Sequence, residues 1–435
     1  MRTFALFLFT LMALHGTVTA AYPLDGAERT GIKRLEAERL VQQGKARGLQ
    51  LPPGALLNTD QIQLRLLSRP DLQLPAPDAD FTAEVVKLLG KQADEWGIAV
   101  LDLSDPDHPI YAEHRANRRF NPGSVGKLMV AMALFKTLAD LYPDDAARIQ
   151  LLRNTEVVAD HFIEYDKHNV PFVNSKMRLY YRPLRVGDRN NLWSYLDWML
   201  SPSSNAAAST VMEQLLLLQH FGRDYPVSPQ QAAAFWHDTP RATLGRVLST
   251  SIRNGLVASG LNPDNLWQGK FFTQYGKRKV PGGRSYATPR ELVRFLLHLE
   301  QGKVVDPFSS LAIKRLIYMT EKRIRYAAAP ALKNAAVFFK SGSLYSCKKE
   351  PGFQCGKYKG NVVNRLNSVA TVEWPAEDPR LFYLVAVTSN VLKENAAVAQ
   401  QTLATRLHRL MQRRHPRGVR LEDQLIHHHD ELAQP

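Results

Sequence analysis

The sequence predicts an α+β fold, an antiparallel sheet flanked by helices, with an all-helical subdomain inserted between the early and the late strands. Strand-like apolar runs occur near both ends of the main body of the chain, whereas the long middle segment carries mostly helical patterns. The predicted strands are residues 96–103, 110–114, 335–340, 368–374 and 381–388. Because strands from both ends must bury their apolar faces, one shared sheet is the simplest arrangement.

The connections between these strands support antiparallel pairing. Residues 96–103 and 110–114 flank a turn at residues 105–107, which predicts a hairpin. The last two predicted strands join through residues 375–379, a segment bounded by prolines that suits a second antiparallel pair.

Helices are predicted before, between and after the strands. Thr82 can cap a helix that precedes the first strand. Residues 128–135 are apolar at every position and the helical pattern continues to residue 141, which is typical of a helix buried in a core. Further helices are predicted at residues 193–200, 206–218 and 403–411.

The first 20 residues have the pattern of an export signal. A basic start precedes an apolar stretch from Phe4 to Leu14, and small residues end the segment at Ala20. We expect cleavage after Ala20 and a periplasmic or secreted location. An uncleaved anchor is the alternative, although the apolar run is short for a membrane span.

The rest of the chain is predicted to contain three parts. Residues 21–80 form an N-terminal extension and linker, because a charged helical pattern is followed by proline-rich breaks. Residues 81–412 form the main domain, and residues 413–435 form a polar C-terminal tail. Three adjacent histidines in that tail, residues 427–429, are interpreted as solvated rather than as metal ligands.

Charge and cysteine content restrict the partners and the compartment. The chain of 435 residues carries a net charge of +15, which favours contact with anionic components of a cell envelope. No nucleic-acid recognition motif accompanies this charge, so nucleic acid is not expected as a partner. Cys347 and Cys355 flank a Pro351-Gly352 turn, and in an oxidising compartment a disulfide is expected between them.

Ser124 and Lys127 are the candidate nucleophile and general base. Ser124 precedes the predicted buried helix, where the helix dipole is positive, and Lys127 follows one helical turn later. Burial lowers the pKa of a lysine and makes a neutral amine available as a base. Taken alone, the spacing also fits a capping serine beside a lysine that extends to solvent.

Ser203-Ser204-Asn205 forms a tight turn between two predicted helices. Ser203 is a candidate for relaying a proton to the leaving group, and Asn205 for hydrogen bonds to Lys127 and a substrate carbonyl. Helix capping is the alternative, because serine and asparagine cap helices very often.

Lys340-Ser341-Gly342 ends a predicted strand. Lys340 and Ser341 are candidates for binding a substrate carboxylate, and Gly342 would allow the substrate backbone to approach closely. The backbone N–H groups of Ser124 and Ser343 are candidates for an oxyanion hole. An ordinary strand end is the alternative for this motif alone.

In this order the motifs resemble those of the serine β-lactamase and penicillin-binding protein superfamily, closest to the class A β-lactamase type. The resemblance covers residues 81–412 and includes residues 119–127, 287–292, 369–374 and 382–388. It implies a β-lactamase/transpeptidase-like fold in which a β-lactam or a D-Ala-D-Ala peptide acylates Ser124. It implies neither a metal nor another cofactor.

One family element is missing from the sequence. Class A enzymes activate the deacylating water with the glutamate of a Glu-x-x-x-Asn element, and no such element occurs between the second and third motifs. Glu213 lies too early, Asp264 is better suited to forming a turn, and residues 271–275 contain no acid. The segment 215–285 is also long for the family. We therefore expect acylation without rapid hydrolysis.

These observations predict an exported, monomeric serine hydrolase that cleaves an amide of a β-lactam or a related peptide or ester through a Ser124 acyl-enzyme. The alternatives are a D,D-peptidase or penicillin-binding protein acting on peptidoglycan peptides, and a non-catalytic protein that binds the cell envelope. The former shares every residue named above. The latter requires no reaction at Ser124.

Overall fold

The computed structural model describes residues 23–320 and 322–416. Its strands are β1 (Trp96–Asp102), β2 (Ile110–His114), β3 (Glu156–Val158), β4 (Asn169–Val173), β5 (Leu179–Pro183), β6 (Arg189–Asn191), β7 (Leu266–Trp267), β8 (Tyr286–Ala287), β9 (Ala336–Ser346), β10 (Val363–Trp374) and β11 (Leu381–Ser389). Its α-helices are α1 (Ala27–Thr30), α2 (Lys33–Gln42), α3 (Ala79–Leu89), α4 (Lys127–Leu141), α5 (Asp145–Asn154), α6 (Leu192–Leu200), α7 (Asn205–Phe221), α8 (Pro229–Asp238), α9 (Arg241–Ala258), α10 (Gln274–Lys279), α11 (Pro289–Glu300), α12 (Pro307–Tyr318) and α13 (Ala396–Arg414).

A five-stranded antiparallel sheet in the order β2-β1-β11-β10-β9 organises the molecule. Its strands come from both ends of the main domain, because β1 pairs with β11 along its full length. One face packs on α3 and α13, and the other faces the helices that follow the second strand. The predicted α+β fold is therefore confirmed, and β9 lies at an edge of the sheet.

The helices behave much as their apolar patterns predict. Every residue of α4 from Lys127 to Phe135 is buried, and α7 and α9 pack against it. Two predicted boundaries were wrong. The cap of α3 is Asp78, whose side chain accepts a hydrogen bond from the Phe81 nitrogen, rather than Thr82. The closing helix α13 extends to Arg414, so the first residues of the predicted tail are helical.

The N-terminal extension packs into the main core. Leu35, Leu57 and Leu66 are buried in the same apolar cluster as α4 and α7. Arg34 of α2 donates to both carboxylate oxygens of Asp197 in α6, at 2.6 and 2.5 Å, and also pairs with Glu38. The domain boundary at residue 80 stays a prediction. The charged helix of the N-terminal extension faces inward, so the extension is not a free linker.

The predicted disulfide is confirmed: Cys347 and Cys355 are bonded in the connection between β9 and β10. Within the described ranges, no helix is both long and apolar enough for a bilayer span, and no group of three or more metal-ligating side chains occurs. The predicted signal peptide and the histidines at residues 427–429 lie outside the described residues.

Candidate active site

A short turn places Ser124 beside Lys127. Residues Gly123–Gly126 form a 3-10 helix that continues directly into α4, whose first residue is Lys127. The turn is fixed by Asn121, whose side-chain oxygen accepts from the Gly123 nitrogen at 2.9 Å, and by the positive φ of 54° at Gly123. As a result, the Lys127 amine lies 3.1 Å from the Ser124 hydroxyl oxygen, as the spacing predicts.

The turn between α6 and α7 brings the second motif to the same amine. Lys127 Nζ donates to the Ser203 carbonyl at 2.7 Å and to Asn205 Oδ1 at 2.9 Å, and lies 3.3 Å from the Ser203 hydroxyl. Ser203 has a φ of 65°, an unfavourable value for a residue with a side chain. Ser204 caps α7, so the capping alternative applies to Ser204 while Ser203 and Asn205 face Lys127.

The edge strand β9 contributes the third motif. The predicted strand end at residue 340 was wrong, because β9 continues to pair with β10 as far as Ser346 and the motif lies in the middle of the strand. Lys340 Nζ donates to the Ser203 hydroxyl oxygen at 2.7 Å, so this hydroxyl lies between two lysine amines. A Cβ atom at Gly342 would lie 2.6 Å from the Ser124 nitrogen and 2.8 Å from the Pro122 oxygen. The close approach of the Pro122–Ser124 turn therefore requires glycine at this position.

Burial shifts the protonation of both lysines. Lys127 is fully buried, and this burial, with a smaller contribution from the Arg325 charge, lowers its pKa to about 7 against the opposing effect of Asp166. Burial, the Lys127 charge and the Arg325 charge lower the pKa of Lys340 well below its ordinary value. Within residues 23–320 and 322–416, neither amine is hydrogen-bonded to a carboxylate. The site therefore holds neutral amine within reach of a serine hydroxyl at neutral pH.

Arg325 is a site residue that sequence reasoning missed. It begins a 3-10 helix, Arg325–Ala328, and donates to the Ser341 and Ser343 hydroxyl oxygens at 2.8 and 3.1 Å. Its guanidinium also contacts the Tyr358 hydroxyl, which comes from the disulfide-bonded connection after β9. No local motif marks Arg325, because only the folded chain brings residue 325 to the middle of β9.

An aromatic side chain covers Lys127 from the segment 262–288. The Phe272 ring centroid lies 4.9 Å from Lys127 Nζ, and the Phe272 and Thr273 nitrogens both donate to the Ser209 hydroxyl of α7. Asp264 is exposed and lies in a turn, but the turn hydrogen bond runs from its backbone nitrogen to the side-chain oxygen of Asn262, so Asn262 takes the role expected of Asp264. Glu213 lies buried in α7 beside Asp160, where burial first and then the Asp160 charge raise its pKa well above the ordinary value.

Comparison with known proteins places this geometry in a wider context. Residues 80–363 match the family model described as the beta-lactamase enzyme family. A solved structure of a PBP-A point mutant, in an acyl-enzyme complex with penicillin G, aligns with a TM-score of 0.51 at 12% identity, covering 79% of this chain and 100% of that chain. This likeness shows the fold alone.

Two further solved structures align less closely. A beta-lactamase from Sphaerobacter thermophilus DSM 20745 gives a TM-score of 0.47 at 15% identity, covering 77% of this chain and 96% of its own. The TLA-3 extended-spectrum beta-lactamase gives 0.48 at 12% identity, covering 76% and 98%. No curated protein matches the chain.

Proposed function

The chain belongs to the beta-lactamase enzyme family, and from that membership we propose that it is a serine hydrolase that forms an acyl-enzyme on Ser124 and releases the acyl group slowly. One observation carries the proposal. A buried amine with a pKa of about 7 lies 3.1 Å from the Ser124 hydroxyl oxygen, whereas no carboxylate is hydrogen-bonded to either group in the described part of the chain.

Acylation uses the groups that surround Ser124. Neutral Lys127 takes the serine proton as the Ser124 oxygen attacks the substrate carbonyl carbon. The backbone N–H groups of Ser124 and Ser343 are the proposed donors to the oxyanion. The carbon–nitrogen bond then breaks, the Ser203 hydroxyl gives the leaving nitrogen a proton, and protonated Lys127, 3.3 Å from the Ser203 oxygen, replaces that proton and returns to the neutral amine. Ser203 suits this step because the Lys340 amine donates to its oxygen at 2.7 Å.

Substrate recognition rests on the positive wall beside β9. Ser341, Ser343 and Arg325 form one hydrogen-bonded group, with a guanidinium suited to a carboxylate. Asn205 uses its carbonyl oxygen for Lys127 and keeps its amide hydrogens for a substrate carbonyl. The proposed substrates are therefore amides that carry a carboxylate, namely β-lactams or related peptides.

Slow release follows from the surroundings of Lys127. The Phe272 ring occupies the space next to the amine from the segment in which class A enzymes carry the deacylating glutamate. A phenyl ring neither activates nor holds a water molecule. This observation favours the behaviour of a penicillin-binding protein or D,D-peptidase over that of a fast β-lactamase, and it supports the former as the second candidate function.

Location and partners belong to the same proposal. Export is supported by the pattern of residues 1–20, and an envelope location by the net charge of +15. The disulfide between Cys347 and Cys355 fits an oxidising compartment.

The deciding experiment is the intact mass of residues 21–435 over time after mixing with benzylpenicillin. We expect one adduct with the mass of the added penicillin, persisting for minutes or longer, and no adduct on Ser124→Ala. Ser249→Ala is the matched control, because the Ser249 hydroxyl bonds only to a carbonyl of its own helix. It should be labelled like the wild type.

Other outcomes would change the proposal. Rapid loss of penicillin with a transient adduct would indicate a β-lactamase with another deacylating group. Absence of any adduct with penicillins, and of any Ser124-dependent hydrolysis of peptide or ester substrates, would leave the non-catalytic envelope-binding alternative.

A further inference from the structure

We propose that Asp166, which lies outside all three motifs, is a positioning residue that fixes the Ser203–Asn205 turn against Lys127 and counters the positive charge of the cleft. This inference rests on the proposed acylation at Ser124. Asp166 comes from the loop before β4 and carries a carboxylate. The site residues predicted from the sequence were all neutral or cationic.

The first argument is the contact between Asp166 and the second motif. Asp166 Oδ2 accepts from the Ser204 hydroxyl at 2.9 Å and from the Ala206 nitrogen at 2.8 Å. Ser204 is the N-cap of the 17-residue helix α7 and Ala206 lies in its first turn, where a carboxylate is favoured by free N–H groups and the helix dipole. The contact holds the turn at the point where Ser203 adopts its strained φ of 65°.

The second argument is that a further contact, with His168, fixes the Asp166 side chain. Asp166 Oδ1 lies 2.5 Å from His168 Nδ1, while the Asp166 side chain is only 4% exposed. Burial alone would raise the pKa of this carboxyl, but contacts with His168, Ala206 and Ser204 outweigh burial and hold the pKa at about 2. Asp166 therefore carries a negative charge at every pH relevant to acylation.

The third argument is the charge balance around Lys127. The groups that face Lys127 from neighbouring elements are Lys340 of β9, Arg325 of the preceding 3-10 helix, Ser203 and Asn205 at α7, and the uncharged Phe272 ring. The titratable groups next to Asp166 are His168, which contacts its carboxylate, and Lys167, the following residue of the loop. Among the described residues that shift the pKa of Lys127, Asp166 is the anion, and its charge raises that pKa.

The test combines two readouts on the full exported chain, residues 21–435. NMR of the lysine ε carbons, assigned through Lys127→Arg, gives the pKa of Lys127 without any substrate. Rapid mixing with a penicillin, quenched at set times and measured by intact mass, gives the acylation rate constant from pH 5 to 9. The variants are Asp166→Asn, which keeps an accepting oxygen, and Asp166→Ala, which removes both charge and acceptor. Asp144→Asn is the control, because Asp144 caps α5 in the same way.

Asp166→Asn should lower the pKa of Lys127 by about half a unit, less than a directly contacting ion pair would cause. The acidic limb of the acylation profile should move down by the same amount, with the maximal rate retained within about threefold. Asp166→Ala should lower the maximal rate by about tenfold or more, because the turn also loses its acceptor. Asp144→Asn should change neither quantity.

Two results would overturn the proposal. An unchanged Lys127 pKa in Asp166→Asn would remove the electrostatic role, and a wild-type acylation rate in Asp166→Ala would remove the positioning role. If wild type itself is not acylated, the proposed function fails, but the NMR titration still decides whether Asp166 acts on Lys127.

Discussion

The molecule buries lysines in two places that differ in what surrounds them. Lys314 of α12 is fully buried and donates to Glu300 at 2.7 Å, to Glu373 at 2.7 Å and to the Gln63 carbonyl at 2.6 Å. Lys127 is also fully buried, but its partners are hydroxyl, carbonyl and amide oxygens. We refer to these as the paired and the unpaired lysine, respectively.

The two buried lysines differ in the charges that surround them. Around the paired lysine, Arg65 adds a second cation on Glu373 at 2.9 Å. Burial would raise the pKa of Glu373, but Arg65 and Lys314 outweigh burial and lower that pKa. The charges there compensate each other and connect the N-terminal extension, α11, α12 and β10. Around the unpaired lysine no carboxylate accepts a hydrogen bond within the described ranges, and burial lowers the pKa of the amine to about 7.

The largest expected effect comes from removing the unpaired lysine. Lys127→Met should lower the acylation rate constant by on the order of a thousandfold, because the general base is lost. The free energy of unfolding should stay the same or rise by about 1 kcal/mol or more, since an uncompensated buried amine is replaced by an apolar side chain. Rate is measured by penicillin adduct formation and stability by urea unfolding. A marked loss of stability would contradict the comparison.

Removing the paired lysine should lower the stability of the fold and leave the acylation rate unchanged. Lys314→Met leaves Glu300 and Glu373 buried with fewer cations, so we expect a loss of about 3 to 5 kcal/mol in the free energy of unfolding. The folded fraction should acylate at the wild-type rate. The control Lys136→Met breaks an exposed ion pair with Asp140 on α4 and should cost about 0.5 kcal/mol or less.

A carboxylate can be introduced beside Lys127 by substituting Phe272. Phe272→Glu places an acid beside the Lys127 amine, and we expect adduct loss to accelerate by about tenfold to a hundredfold, the lower range for a general base. The matched variant Phe272→Gln has similar size and polarity but no basic oxygen, so it should leave adduct decay near the wild-type rate. Equal acceleration in both variants would indicate that opening the site, rather than a base, limits release.

The smallest effect concerns pH. Protonated Lys127 cannot act as a base, and its pKa is about 7, so acylation should fall by about tenfold for each pH unit below that value. The free energy of unfolding should also rise with pH. The folded-state pKa lies below that of an unfolded lysine, so the unfolded chain binds more protons between the two values and stability due to Lys127 rises with pH in that window. Stability of Lys127→Met should lack this rise.

Local patterns were sufficient to predict most of the sheet and the three motifs. Alternation and apolar runs mark β1, β2, β10 and β11. The first motif leads into α4 and the second joins α6 to α7, whereas the third lies inside β9 although the sequence predicts a strand end there. The register that brings Lys340 to Ser203 could not be predicted, because it depends on how the sheet packs on the helical part. For the same reason the sequence assigned Lys340 to substrate binding, without its hydrogen bond to Ser203.

The residues that were missed reach the site from segments without a motif. Asp166 lies in a loop and Arg325 begins a short 3-10 helix, whereas Phe272 resembles any core aromatic residue until its distance to Lys127 is known. The N-terminal extension was misleading for another reason. Arg34 and Glu38 look like a solvated helix face in sequence, yet they are buried because Asp197, far along the chain, supplies a partner.

The pairing of β1 with β11 has a consequence for how this chain acquires its structure. The middle of the sheet joins residues near the start of the main domain to residues near its end, so a growing or emerging polypeptide holds β1 with β2 on one side but without β11 on the other until almost the whole chain has appeared. Such long-range closure is slow, and the exposed strand meanwhile invites wrong pairings. A chain cut before β11 is therefore expected to be recovered as aggregate rather than as a smaller working enzyme.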